Sequence, residues 1–150
     1  MLEEFIVQAK SATYVGGGNK SSTPTRIGSH DLGFRSGDWN YIDSYFGGTD
    51  FIGQEVVWHQ GIPLWAMNYY GRVIRPELID GTVAGRVIQR SLSTLYREGR
   101  FLGGFTHEVE DMIYVDTNEG EFRSFTGVER IYRDSVEVYR LDYHGGVIKP

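Results

Sequence analysis

Asp43, Glu55 and Asn68 each stand in the middle of a stretch that reads as a β-strand, with aromatic residues on both sides. A carboxylate inside a strand is costly unless it is solvated, paired or hydrogen-bonded. Such groups either face water or line a concave site. On one shared sheet face, Asp43 and Glu55 are candidate catalytic residues, because burial raises a carboxyl pKa toward the range of a general base. The same pair suits a divalent ion, or the amines and hydroxyls of a ligand. The spacing matches no catalytic signature, so plain structural pairing stays open beside these readings.

Aromatic and polar neighbours extend the set. Tyr41, Tyr45, Trp65 and Tyr70 offer ring faces, and Ser29, Asp31 and Arg26 offer polar groups just upstream. The candidate ligand-binding residues are therefore Arg26, Ser29, Asp31, Tyr41, Asp43, Tyr45, Glu55, Trp65, Asn68 and Tyr70. Ser29-His30-Asp31 holds the residue types of a hydrolase triad, but adjacent side chains of an extended chain point to alternate faces. Ser29 and Asp31 can still share a face. His30, His59, His107 and His144 have no metal-ligand spacing and there is no Cys, so no metal site is expected. No cofactor motif is present. Gly16-Gly17-Gly18, followed by Asn19 and Lys20, lacks the pattern of a phosphate loop. It reads as a mobile loop, or as one that closes over an anion with Lys20 and Arg26.

These groups need elements to position them. Leu2, Phe5, Ile6 and Ala9 fall at helical spacing while Glu3, Glu4, Gln8 and Lys10 face away, so residues 2–12 read as a helix. His30 to Arg35 is a short extended piece. Asp38 to Phe46, Phe51 to His59 and Leu64 to Val73 read as three strands. Asp80 is a fitting N-cap for a helix running to about Glu98, with Ala84, Val87, Ile88, Ser91, Leu92 and Leu95 as its buried stripe. Three or four strands follow: 105–116, 121–126, 129–133 and 136–143. The expected fold is one α+β domain over residues 1–150. Its antiparallel sheet has about six to seven strands, with two helices packed on one face, in the order helix, three strands, helix, three or four strands. The other face would line a groove. The order hints at a duplicated unit, but no residue-by-residue match between the halves stands out.

Pairing narrows the site. A two-residue turn at Gln60-Gly61 sets Glu55 opposite Ala66 and Asn68 opposite Gly53. A three-residue loop after Phe46 would put Asp43 opposite Gly53 and Tyr41 opposite Glu55. That register gathers Tyr41, Asp43, Tyr45, Glu55, Asn68 and Tyr70 on one surface, whereas an even loop would turn Asp43 away.

Composition limits the partners. The net charge is −5, the sequence pI is about 5.3, and aromatics make up 14% of the chain. Direct nucleic-acid binding is disfavoured, since a grip on phosphates needs clustered Lys and Arg. No apolar run reaches bilayer length and the N-terminus is acidic, so no membrane partner and a cytoplasmic location are expected.

The motifs Gly28-Ser29-His30-Asp31-Leu32, Gly37-Asp38-Trp39-Asn40-Tyr41-Ile42-Asp43-Ser44-Tyr45-Phe46-Gly47-Gly48, Phe51-Ile52-Gly53-Gln54-Glu55 and Trp65-Ala66-Met67-Asn68-Tyr69-Tyr70-Gly71 resemble a bacterial family labelled as a domain of unknown function, number 5680. The resemblance runs from the N-terminal helix through the third strand into the next helix. Members stand alone or follow a helix-turn-helix DNA-binding domain, which implies a sensor or effector-binding unit by analogy. The expected function is a ligand-binding module for a polar small molecule, a nucleotide-like one included. A hydrolase using Asp43 or Glu55 as general base and a homodimeric interaction domain are the alternatives.

Overall fold

A computed structural model describes residues 1–16, 18 and 20–150. Among them the order is α1 (Leu2–Lys10) with a π-helical extension (Ser11–Val15), β1 (His30–Ser36), β2 (Trp39–Gly47), β3 (Phe51–His59), β4 (Ile62–Val73), α2 (Gly81–Arg97), β5 (Phe105–Val109), β6 (Met112–Glu121), β7 (Ser124–Arg133) and β8 (Val136–Val147). The strands make one antiparallel sheet in the order β1-β2-β3-β4-β8-β7-β6-β5. The glycine-loop reading falls partly on Gly17 and Asn19, which lie outside the described residues.

Eight strands replace the expected six or seven, four ahead of α2 and four after it. The piece at His30 is a full strand, paired with β2 from His30↔Tyr45 to Ser36↔Trp39. The stretch 105–116 is two strands, because Glu110 takes φ 57° in a tight turn at Glu110-Asp111. The pieces 121–126 and 129–133 belong mostly to one strand, β7, and the turn before it is Phe122-Arg123. The capping expectation holds: the Asp80 carboxylate accepts from the Val83 N–H at 2.8 Å and starts α2.

Both helices pack on the same face. Phe5, Ile6 and Ala9 of α1 join Ala84, Val87, Ile88 and Leu95 of α2 in one core with Tyr41, Val57, Trp65, Tyr114, Ile131 and Tyr139 of the sheet. Such one-sided cover is what alternating strands need when one face is apolar.

The two halves are a repeat. Tyr41 and Asp43 of β2 match Tyr114 and Asp116 of β6, and Gly47 matches Gly120. Phe51, Gly53 and Glu55 of β3 match Phe125, Gly127 and Glu129 of β7. Tyr69 and Gly71 of β4 match Tyr143 and Gly145 of β8. Pairings agree too: Asp43↔Glu55 and Asp116↔Glu129 sit directly opposite. Both halves also carry a bulge at the start of the last hairpin, at Leu64 and at Val138. Three residues separate Gly47 from Phe51, but four separate Gly120 from Phe125. That slip hides the match from a comparison at fixed spacing.

Candidate functional site

The paired carboxylates meet on the helix-covered face, under α1 and α2. The groove expected on the open face is not where they lie. In the first half the Tyr41 hydroxyl donates to Glu55 and the Tyr69 hydroxyl donates to Asp43. In the second half Tyr114 donates to Glu129, and Tyr143 donates to Asp116 at 2.7 Å. Each unit thus holds an Asp and a Glu side by side, the Glu capped by a tyrosine of the adjacent strand and the Asp by a tyrosine two strands away. Gly53 and Gly127 make this possible. A Cβ at either would collide with the ring of Tyr69 or Tyr143, so glycine lets the ring lie flat across the strand.

Lys10 reaches into this layer from α1. Its ammonium donates to Glu55 Oε2 at 2.8 Å and approaches Met67 Sδ at 3.3 Å. It also lies 5.4 Å from the centre of the Phe101 ring. Lys10, Asp43, Glu55, Asp116 and Glu129 are all buried, at 4–7% exposure. No ion pair to Asp43, Asp116 or Glu129 exists among the described residues, so one ammonium serves four carboxylates.

The electrostatics follow from that imbalance. Burial, then repulsion from Glu55, pushes the Asp43 carboxyl up to about 7 against the hydrogen bond from Tyr69. Burial and then the Asp116 charge push Glu129 up to about 8, with Tyr114 and Lys10 opposing. Burial pushes Asp116 up to about 6, with Tyr143, Lys10 and Arg100 opposing. The Tyr41, Tyr69, Tyr114 and Tyr143 hydroxyls are held well above their ordinary value by burial and by the adjacent carboxylates. They are fixed donors at any ordinary pH.

A cavity of about 220 Å³ lies over these groups. Its floor includes Asp43, Glu55, Asp116, Glu129 and Tyr139. Its roof includes Lys10, Tyr14, Ala84, Gly85, Ile88, Leu92 and Tyr96, and Tyr45, Phe51, Tyr69 and Tyr143 give it aromatic walls. The wall reaches the surface beside Gly48 and Thr49, both exposed. A side chain at Gly85 would meet nothing within 4 Å, so α2 leaves space on that side. Tyr14 sits on the π-helical turn, an irregularity frequent at functional sites.

The expected site residues divide into four groups. Tyr41, Asp43, Tyr45 and Glu55 share the inner face, as the odd register required. The pairing itself is displaced by two residues, Asp43↔Glu55 and Tyr41↔Val57, because the three-residue loop begins after Gly47. Tyr41 is buried beneath the cavity as a hydrogen-bond donor.

Asn68 and Tyr70 face the other way. The bulge between Val57 and Trp58 sets Glu55 opposite Met67 and Asn68 opposite Gln54, correcting the expected Ala66 and Gly53 partners. Asn68 is exposed and bonds Gln54 at 2.9 Å and His144 at 3.2 Å. Tyr70 is 42% exposed. Trp65 faces inward but lies in the solid core, its indole N–H donating to the Phe122 carbonyl at 2.9 Å.

Arg26, Ser29 and Asp31 form a separate knot on the outer face. Asp31 accepts from Ser44 Oγ and from the Thr25 N–H, both at 2.7 Å. Arg26 donates to Ser44 Oγ at 2.8 Å, and its guanidinium covers the Phe46 ring at 4.6 Å. Ser29 Oγ donates to the Arg26 carbonyl at 2.9 Å. Burial raises the Asp31 carboxyl, but the hydrogen bonds from Thr25, Ser44 and Ser29 outweigh it and bring it to about 2. These groups pin the segment before β1 to β2, and none of them lines the cavity over the carboxylates. Lys20 lies 5.7 Å from the Tyr45 ring centre.

Sequence reasoning missed Lys10, Asp116, Glu129, Tyr69, Tyr139 and Tyr143. The matched runs Phe51-Ile52-Gly53-Gln54-Glu55 and Phe125-Thr126-Gly127-Val128-Glu129 carried the signal for the second carboxylate pair.

The fold and site define a class: a duplicated helix-plus-four-strand unit whose single sheet buries two tyrosine-capped carboxylate pairs under its helices. The chain belongs to the family described as Domain of unknown function (DUF5680), which matches residues 43–148. The match begins inside β2 and takes in the whole second half, so it covers both carboxylate pairs and leaves α1 and β1 outside. No curated protein and no solved structure matches the chain. No helix is long and apolar enough to cross a membrane.

Proposed function

We propose that this domain is a small-molecule-binding module, of the sensor or effector-binding kind, whose site is the cavity between the sheet and its two helices. The observation that carries the reading is the 220 Å³ space itself, set over a floor of buried polar groups. A purely structural layer would close over such groups, because dense packing is the norm for a core. Drug-sized ligands occupy about 300–1,000 Å³, so the occupant here is small. The four carboxylates argue against an anionic, nucleotide-like ligand, since a phosphate would meet like charge on the cavity floor.

A thermal-shift screen of small polar fragments tests the reading. Fragments that stabilise the wild type should lose their effect in Gly85→Leu, which extends a side chain into the open space beside α2. They should keep it in Asn68→Ala, on the opposite face. Stabilisation that survives Gly85→Leu would place the ligand elsewhere.

One observation favours hydrolysis as a second reading: the Asp43 carboxyl sits near neutrality, where a general base works best. Glu55 is a poorer candidate, because Tyr41 and Lys10 occupy its two oxygens. Turnover of a bound fragment, lost in Asp43→Asn with binding intact, would support this reading. Binding without product would count against it.

A further inference from the structure

The repeat exposes an asymmetry. In the first half Glu55 has a cation, the Lys10 ammonium at 2.8 Å. In the second half the matching Glu129 has the same tyrosine cap and the same cross-strand Asp, but no cation among the described residues. The face that α2 turns to the cavity consists of Gly81, Ala84, Gly85, Ile88, Leu92 and Tyr96, none of them charged. Arg100 acts on Asp116 only through space. Its guanidinium bonds the carbonyls of Leu102 and Gly104 at 2.7 and 2.9 Å and pairs with Glu98 at 2.8 Å.

A second observation is independent of the acidic cluster. Tyr139 lines the cavity and is 1% exposed, and its buried hydroxyl has no hydrogen-bond partner among the described residues. A buried hydroxyl without a partner costs about 1–3 kcal/mol relative to a bonded one. A polar group from a ligand would supply the missing bond.

We propose that the cavity binds a small organic cation, a primary ammonium or amidinium on a compact flat body, with its charge docked at Asp116 and Glu129 where the first half has Lys10. The body would rest against the rings of Phe51, Tyr69 and Tyr143, which provide apolar contact and negative faces. Tyr139 would hydrogen-bond a polar group of the ligand. This inference rests on the cavity being the binding site, as argued above.

Protons and the cation compete for the same oxygens. The groups facing the docked charge are Lys10 from α1, Tyr14 from the π-helical extension, Tyr96 from α2, Asp43 from β2, Glu55 from β3, Tyr69 from β4, Asp116 and Tyr114 from β6, Glu129 from β7, Tyr139 and Tyr143 from β8, and Arg100 from the segment after α2. Asp43 and Glu129 hold protons near neutral pH and Asp116 gives its proton up at about 6, so cation binding releases protons and tightens as pH rises from 6 to 9.

The test is calorimetric titration of the full chain at pH 8.5 with benzylamine, 4-hydroxybenzylamine and benzamidine, each against its neutral counterpart: benzyl alcohol, 4-hydroxybenzyl alcohol and benzamide. At least one cation should bind about tenfold or more tightly than its neutral counterpart, a difference of about 1.4 kcal/mol. Its affinity should fall by about tenfold or more at pH 6 and in Glu129→Gln. Glu129→Gln keeps the shape of the site, and a urea melt confirms that it folds. Loss of the same binding in Gly85→Leu ties it to the cavity.

If neutral counterparts bind as well as the cations and Gly85→Leu abolishes both, the cavity reading stands and the cation proposal is overturned. Binding that persists in Gly85→Leu overturns both. Failure of every cation to exceed its neutral counterpart overturns the proposal.

Discussion

Glu129→Gln should make the protein more stable at alkaline pH and leave it unchanged at mildly acidic pH. Glutamine keeps the volume of glutamate, and its amide oxygen can still accept from Tyr114. What it removes is a carboxylate that is 7% exposed and faces Asp116 across the strand pair. In the folded chain Glu129 keeps its proton up to about 8, against an ordinary value of 4.5. The folded state therefore binds more protons than the unfolded chain in that window, and stability falls as pH rises through it. The whole interval is worth roughly 5 kcal/mol at ~1.36 kcal/mol per pH unit. Asp116 shares the same site and the proton count is joint, so the expected loss traced to Glu129 is about 2–3 kcal/mol. Urea melts at pH 5.5 and pH 9 read this directly. The wild type should lose stability between the two, and Glu129→Gln should lose distinctly less. A wild type with equal stability at both values, or a variant with the full wild-type slope, would refute the reasoning.

Lys10→Met should cost about 3–5 kcal/mol at pH 8, because it leaves the Glu55 carboxylate buried without its partner. Adding Glu55→Gln should restore most of that loss, and a double-mutant cycle by urea melts measures the coupling. Gly53→Ala and Gly127→Ala should each cost about 1–3 kcal/mol, since the new methyl strikes Tyr69 or Tyr143. Matching losses in thermal melts would confirm that the two halves work alike. Asp31 behaves in the opposite sense to the cavity carboxyls. Its contribution is present above pH 4 and lost as pH falls through about 2, so Asp31→Asn should flatten the acid limb of a stability profile.

Much of the fold was legible because it rests on local rules. Asp80 capped its helix, the buried stripe of α2 followed the 3.6-residue period, and Gln60-Gly61 turned as a hairpin. The site was half legible. Asp43 and Glu55 betrayed themselves as carboxylates in strand interiors, and parity put them on one face. Asn68 was lost to a bulge at Leu64, because one unmatched residue exchanges the faces of everything beyond it. Asp31 looked like a ligand group and is a knot of local hydrogen bonds. The second carboxylate pair stayed hidden because the spacing from Gly120 to Phe125 is one residue longer than that from Gly47 to Phe51. Lys10 read as the wet side of a helix, since only the tertiary fold brings it over the carboxylates, 45 residues from Glu55.

The most direct test is site-resolved carbon-13 NMR titration of the Asp and Glu side-chain carboxyls in the wild type. Asp43 and Glu129 should change protonation between pH 6 and 9, and saturation with a bound organic cation should move Glu129 to lower pH. Titration of both groups below pH 5, with or without the cation, would contradict this expectation.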